Sequence, residues 1–180
     1  ISEPDSLKWT VTSKNVRCNG GNNGFAKAVA TGGVAPISFM WKTCAGATLS
    51  NADSLTSLFK GCYAVTATDA NGCTLSETVQ ITEPAKYVFT SVQDSVNCFG
   101  GADGTATVFP SGNTPPYTYS WDNGQMTQTA TGLNAGFHTV IVLDSLLCQA
   151  GTLVQVLQAP KLQIDSIKTQ HVQCFGQKNG

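Results

Sequence analysis

Seven cysteines, two histidines and a scatter of acidic and aromatic side chains carry whatever chemistry this 180-residue chain has. No two cysteines form a C-x2-C pair and no histidines an H-x3-H pair, the close spacings that structural zinc sites use. The cysteines therefore read as disulfide formers, which persist in an oxidising, extracytoplasmic compartment. Paired-carboxylate hydrolysis has little to draw on, because Glu3, Glu77 and Glu83 are the only glutamates. The glycine-rich run from Asn19 to Gly24 lacks the Lys-Ser/Thr that a phosphate loop requires. Asp69, Asp103, Asp122 and Asp144 sit in turn-like contexts. Calcium, which takes about 6–8 oxygen ligands, is the one ion they bring into question. Turn chemistry accounts for them without it, so no cofactor is expected. Tyr117 and Trp121 are the candidate glycan contacts, since exposed aromatics stack on sugars. Yet Trp41 and Trp121 each end an alternating apolar run, which favours a core role, while Tyr117 and Trp9 read as partly exposed.

Composition narrows the partners. Charged residues make up 12% of the chain, about half the usual share of roughly 25%. A net charge of −1 gives no basic footprint for nucleic acid or an anionic membrane. The longest aliphatic run, Val140 to Leu143, is far short of the roughly 20 residues that span a bilayer, so no membrane insertion is expected. The chain has no initiator Met and no basic leader, which leads us to expect a mature product or an internal piece. It also lacks an N-x-S/T sequon.

Internal repetition organises these residues. Cys18-Asn-Gly-Gly-Asn-Asn-Gly24 returns as Cys98-Phe-Gly-Gly-Ala-Asp-Gly104, 80 residues on, and as Cys174-Phe-Gly-Gln-Lys-Asn-Gly180 after a further 76. Ile1-Ser-Glu-Pro4, Ile81-Thr-Glu-Pro84 and Leu157-Gln-Ala-Pro160 keep the same two spacings. Pro36 to Trp41 aligns with Pro116 to Trp121. Leu58, Gly61, Val65, Asp69 and Cys73 align with Leu133, Gly136, Val140, Asp144 and Cys148 at a spacing of 75. A five-residue deletion therefore falls inside the second unit, and one residue is added near its last strand, in a loop or a strand bulge. The divisions that follow are 1–4, the end of a preceding repeat; 5–84 and 85–160, two full repeats; and 161–180, the start of a third. We expect a window on a longer tandem array in which Cys174 finds its partner further along. Thiol catalysis is disfavoured, because neither His138 nor His171 recurs beside a cysteine at the matching place in a sister unit.

Each unit reads as all-β. Leu7, Trp9 and Val11 alternate with polar residues, as do Ile37, Phe39 and Trp41, then Tyr117, Tyr119 and Trp121, then Tyr63, Val65 and Ala67. Cys73, Leu75, Val79 and Ile81 continue the alternation past Glu77. Gly32-Gly33, Asp69-Ala-Asn-Gly72 and Asp122-Asn-Gly124 punctuate the runs as turns. About seven short strands per repeat, with a tryptophan on the third, predict tandem immunoglobulin-like antiparallel β-sandwiches.

The string from Cys98 to Gly104, Pro115-Pro-Tyr-Thr-Tyr-Ser-Trp121-Asp-Asn-Gly124, Leu133-Asn-Ala-Gly136 and Tyr63-Ala-Val-Thr-Ala-Thr-Asp69-Ala-Asn-Gly-Cys73 resemble the SprB repeat. That family is found in giant surface adhesins of gliding Bacteroidota. Departures are Leu146-Leu147 in place of Asn-Gly, His138 in place of a tyrosine, and the pair Cys44 and Cys62, confined to the first unit. The resemblance implies type IX secretion and an extracellular, cell-surface location associated with the outer membrane. It also implies gliding motility and adhesion to a substratum or surface polysaccharide through the parent adhesin. The segment itself would be a filament or stalk, or alternatively a carbohydrate-binding or spacer module of a secreted polysaccharide-active protein.

The resemblance also implies Cys18 with Cys73 and Cys98 with Cys148. A closed loop of about 50 residues would contribute on the order of 4 kcal/mol. Against this, a cysteine in the first hairpin turn and one beyond the last lie at opposite ends of an antiparallel sandwich, too far apart to bridge. Cys73 with Cys98 and Cys148 with Cys174 is the competing pattern, tying each unit to its neighbour. Both stay open, with a lean to the within-unit pairs, and Cys44 with Cys62 is expected. Short junctions at Pro84 and Pro160 predict limited bending between units.

Overall fold

A computed structural model describes residues 5–168, and all the secondary structure among them is β. Repeat 1 consists of β1 (Lys8–Lys14), β2 (Gly24–Thr31), β3 (Ser38–Thr43), β4 (Thr48–Ser50), β5 (Ser54–Leu58), β6 (Gly61–Thr68) and β7 (Thr74–Ile81). They form two antiparallel sheets, ordered β1-β2-β5 and β4-β3-β6-β7. Repeat 2 consists of β8 (Val88–Asp94), β9 (Gly104–Ser111), β10 (Thr118–Trp121), β11 (Thr129–Leu133), β12 (Gly136–Leu143) and β13 (Gln149–Val156). Its sheets are β8-β9-β11 and β10-β12-β13. Two facing sheets per repeat make the immunoglobulin-like sandwich that the alternation predicts. The predicted end of a preceding repeat at 1–4 lies outside the described residues. So does most of the predicted third repeat, including His171 and Cys174; residues 161–168 carry no strand.

Two features of the strand count differ from expectation. Repeat 1 has seven strands but repeat 2 has six, because the five-residue deletion removes the counterpart of β4 and leaves a tight Asp122-Asn123-Gly124 turn. The residue added later is not a bulge. β7 and β13 each pair over eight consecutive positions with the strand before them. The insertion falls beyond β13, in the junction, where Pro160 stands one residue further from its strand than Pro84 does. The bulge that does exist is shared: β5 against β2 and β11 against β9 both slip near their C-terminal ends, around Ser57 and Gly132, each at positive φ. Cys73, assigned above to an alternating run, stands just outside β7 in an exposed turn.

Inward residues of the facing sheets build one core per repeat, and the cores match position by position. Val16, Ala26, Trp41, Leu58, Val65, Val79 and Ile81 in the first correspond to Val96, Ala106, Trp121, Leu133, Val140, Val154 and Val156 in the second. Burying a tryptophan removes about 150–250 Å² from water, on the order of 4–6 kcal/mol. The indole N–H also keeps a partner: Trp41 Nε1 donates to the Ala52 carbonyl at 3.0 Å and Trp121 Nε1 to that of Thr127 at 2.9 Å. At the entry of each sandwich the chain passes so close to its own first segment that only glycine fits. Gly32 and Gly112 have φ of 71° and 85°, and a Cβ there would overlap the Ser6 or Lys86 carbonyl. Among the described residues no helix is long and apolar enough to cross a membrane.

Candidate functional site at the inter-repeat junction

Among the described residues, side chains of the two repeats meet at the junction between them. From repeat 1 comes the β1–β2 turn. Val16, fully buried, donates its N–H to the Thr82 carbonyl at 2.9 Å, pinning the turn beside the end of β7. The Gly21 amide closes on the Cys18 carbonyl at 2.9 Å, and the Asn23 side chain accepts the Arg17 amide at 2.9 Å. Glu83, just before Pro84, accepts from the Gly20 amide at 2.8 Å, from Asn19 Nδ2 at 2.9 Å and from the Lys60 ammonium. The Lys60 hydrogen bond, then the Gly20 amide, hold its carboxyl below the usual range. Asn19 Nδ2 also donates to the Pro84 carbonyl at 2.9 Å, so the chain leaving repeat 1 is held against the turn that carries Cys18.

From repeat 2 comes the β12–β13 turn, built around Asp144, which is 3% exposed. Its Oδ1 accepts the Leu146 and Cys148 amides, both at 2.8 Å, and its Oδ2 accepts the Thr114 amide at 3.2 Å. The Tyr87 hydroxyl adds a bond to the Cys148 carbonyl at 3.1 Å. Leu147 adopts φ of 63°, the left-handed conformation that Gly72 takes at 82° in repeat 1, and its side chain stays exposed. This is where Leu146-Leu147 replaces Asn-Gly, and a leucine in that conformation costs on the order of 1–2 kcal/mol.

These two turns are joined covalently. Cys18 is bonded to Cys148, with 5.5 Å between Cα atoms, well inside the span a disulfide allows. Arg17, the only arginine in the chain, crosses the same junction and donates from Nε to the Leu146 carbonyl at 2.7 Å. The within-repeat pairs Cys18 with Cys73 and Cys98 with Cys148 are therefore replaced by a bond between repeats. The competing pairs Cys73 with Cys98 and Cys148 with Cys174 are replaced too. The reason is the end-to-end geometry of an antiparallel sandwich. Cys18 lies at the exit end of repeat 1, beside Thr82 and Pro84, whereas Cys73 lies at its entry end, where Asp69 reaches Val34. Cys148 lies at the entry end of repeat 2, beside Tyr87, and so faces Cys18. Cys73 and Cys98 are exposed and unpaired among the described residues. Cys44 is bonded to Cys62 across the β3–β4 corner, with Cα atoms 5.4 Å apart.

The remaining candidates make their polar contacts within their own repeats. Trp121 is 3% exposed and its N–H is satisfied, so it offers no face to a sugar; this corrects its place as a glycan contact. Tyr117 is half-buried against the core, with its hydroxyl donating to the Gly112 carbonyl at 2.6 Å and its ring tilted on Tyr87 at 6.0 Å. Trp9 packs half-buried on the core of repeat 1. Asp69 repeats the Asp144 arrangement, accepting the Val34, Cys73 and Asn71 amides, which hold its carboxyl below the usual range against the opposing effect of burial. Asp103 accepts from the Asn97 side chain and from its amide at 3.1 Å. Asp122 and His138 pair at 3.2 Å. Burial pushes the Asp122 carboxyl up, but the Thr139 amide and His138 outweigh it and the net direction is down. No cluster of three His, Cys, Asp or Glu side chains suited to a metal occurs among the described residues.

The family model of the SprB repeat matches residues 10–46 and 90–126. No curated protein matches the chain. Among solved structures, DIP-gamma IG1+IG2 is 12% identical with a TM-score of 0.45, covering 84% of this chain and 97% of that one. A Dscam chain, from work on isoform specificity, is 14% identical with a TM-score of 0.38, covering 87% of this chain and 47% of that one. This chain thus spans less than half of that Dscam chain. The C-terminal 282-residue fragment of intimin, in complex with the Tir intimin-binding domain, is 16% identical with a TM-score of 0.37, covering 87% of this chain and 64% of that one. The two family matches start 80 residues apart, each on the first strand of a sandwich and running past its core tryptophan. The SprB repeat model thus matches this chain twice, once in each of its two tandem sandwiches.

Proposed function

We propose that this segment is a stiff spacer in a cell-surface adhesin of gliding bacteria. In this reading the parent protein is exported by type IX secretion and held at the outer membrane, where it grips a substratum or surface polysaccharide. The segment sets the distance between cell and ligand. It performs no catalysis and uses no cofactor, and its working residues are those that fix one sandwich on the next.

The observation that supports the reading is the junction. A disulfide from Cys18 to Cys148 and the Arg17 bond to Leu146 tie the repeats together, and Asn19 anchors the connecting chain at Pro84. Ordinary domain linkers are polar and flexible, leaving relative motion as the default. A junction built against that default suits a protein that must span distance. The low charge fits an exposed surface without strong fields.

The test is removal of residues 5–160 from the parent protein in cells that display it. Antibody labelling should show the shortened protein still at the surface, and the cells should lose attachment to, and movement over, glass. Unimpaired movement at normal display overturns the reading.

A further inference from the structure

Cys98 and Cys73 occupy, one repeat along, the positions of the two cysteines that form the junction bridge. Cys98 opens repeat 2 as Cys18 opens repeat 1, and its carbonyl accepts the Gly101 amide at 3.0 Å as that of Cys18 accepts Gly21 at 2.9 Å. Cys73 closes the Asp69 turn as Cys148 closes the Asp144 turn, its amide bound to Asp69 Oδ1 at 2.8 Å. Both are exposed and unpaired among the described residues. The exit end of repeat 2 thus presents half of a junction already formed, and the entry end of repeat 1 presents the other half.

The surroundings repeat as well. Gly100 donates to Gln158 Oε1 at 2.9 Å, as Gly20 donates to Glu83. The Val96 amide meets the Leu157 carbonyl at 2.8 Å, as that of Val16 meets Thr82 at 2.9 Å. Beside Cys98, Phe99 and Leu162 are exposed and line a cavity with Ala159 and Pro160. At the filled junction the cleft lined by Cys18 and Asn19 is lined on its other side by Tyr87, Cys148 and Gln149 of the next repeat.

We propose that the Cys18–Cys148 bridge is one link of a continuing series. The first cysteine of each SprB repeat bonds to the last cysteine of the repeat after it. Cys98 takes the last cysteine of a repeat following Pro160, and Cys73 takes the first cysteine of a repeat preceding Asp5. The occupant of the Cys98 face is a further SprB repeat, because the only entry end known to fit such an exit end is the one already seated on repeat 1. A head-to-tail contact of this kind uses a different face on each side, so each added repeat presents a fresh exit end for the next. In each link two thiols lose two protons and two electrons as one sulfur–sulfur bond forms. A disulfide oxidant, a thiol oxidoreductase in the cell or oxidised glutathione in a test, is reduced to two thiols. The inference rests on the array reading above, to which it adds covalent continuity.

The test lengthens the chain by a second copy of residues 85–160 between Pro160 and Lys161, with Cys174→Ser, oxidised in glutathione buffer and mapped by nonreducing peptide digestion. The expected map has Cys18 joined to Cys148 of the first copy and Cys98 of the first copy joined to Cys148 of the second. Cys73 and the second Cys98 alkylate. The first link reports a folded junction, so a map that contains it while the first Cys98 alkylates, or pairs within its own repeat, overturns the proposal. Cys148→Ser in the second copy alone should leave the first link intact and free the first Cys98; a first Cys98 that stays blocked also overturns it. Neither readout depends on attachment of cells to glass, so failure here is separable from failure of the spacer reading.

Discussion

At the corner where the third strand turns back, repeat 1 uses a covalent bond and repeat 2 a contact between an aspartate and a histidine. In repeat 1, β4 and the Cys44–Cys62 bridge brace the corner. In repeat 2 the shortened turn places Asp122 where it accepts the Thr139 amide at 2.9 Å and meets His138. His138 stands at the position of Tyr63, and both reach four residues back: the Tyr63 hydroxyl to the Phe59 carbonyl at 3.0 Å, His138 Nε2 to that of Asn134 at 3.0 Å. Inside, by contrast, the repeats agree on the tryptophan, its carbonyl partner and the buried aspartate turn. The difference shows which constraints are steep. A close-packed core and a buried carboxylate tolerate few substitutes, whereas a solvent-exposed corner can be closed by any bond of about the right reach.

The largest test of this contrast removes the bond that belongs to neither repeat alone. Cys18→Ser with Cys148→Ser opens a loop of 130 residues, and the chain-entropy relation gives a loss of about 5 kcal/mol, read as a lower midpoint in guanidinium. Small-angle scattering should show the distribution of chain dimensions broaden; an unchanged profile would mean that the bridge does not set the angle between repeats. Cys44→Ala with Cys62→Ala should cost about 3 kcal/mol, since it opens a loop of only 18 residues, and should shift the unfolding of repeat 1 alone. An equal shift in repeat 2 would break the comparison. His138→Ala, which removes an exposed pair and one carbonyl contact, should cost about 1 kcal/mol, and His138→Tyr should recover part of it. The smallest signal is acid sensitivity. A carboxyl held below its unfolded pKa stabilises the fold above the ordinary aspartate value near 3.8 and loses that contribution as pH falls through its lowered folded value. Asp69→Asn should therefore flatten the decline of repeat 1 below about pH 4, measured as urea midpoints across the acid range.

Much of the fold was legible in the sequence because its signals are local. Alternation located the strands, the recurring cysteine-glycine turns and the Pro84 and Pro160 marks gave the period, and Trp41 and Trp121 ended runs that a core would bury. The junction was less legible. Deciding what Cys18 bonds to requires knowing which end of a sandwich each turn occupies and which way the next sandwich faces, and neither has a local signature. The objection that Cys18 and Cys73 lie at opposite ends was available from strand order, and it proves decisive. Arg17 carried a hint, a lone arginine beside a cysteine where repeat 2 has Asn97. Glu83 carried another, an acid next to the junction proline with Lys60 within reach only after folding.

The bridge between the first turn of one sandwich and the last turn of the next has a consequence for a chain pulled from both ends. Of the thirteen strands among the described residues, β1 and β13 alone lie outside the loop it closes. The 130 residues within, about 450 Å if drawn straight, are bypassed by one sulfur–sulfur bond. A tug can peel the two outer strands and then meets covalent resistance, so the tether yields by a short, fixed amount and gives no further slack until a reductant cuts it.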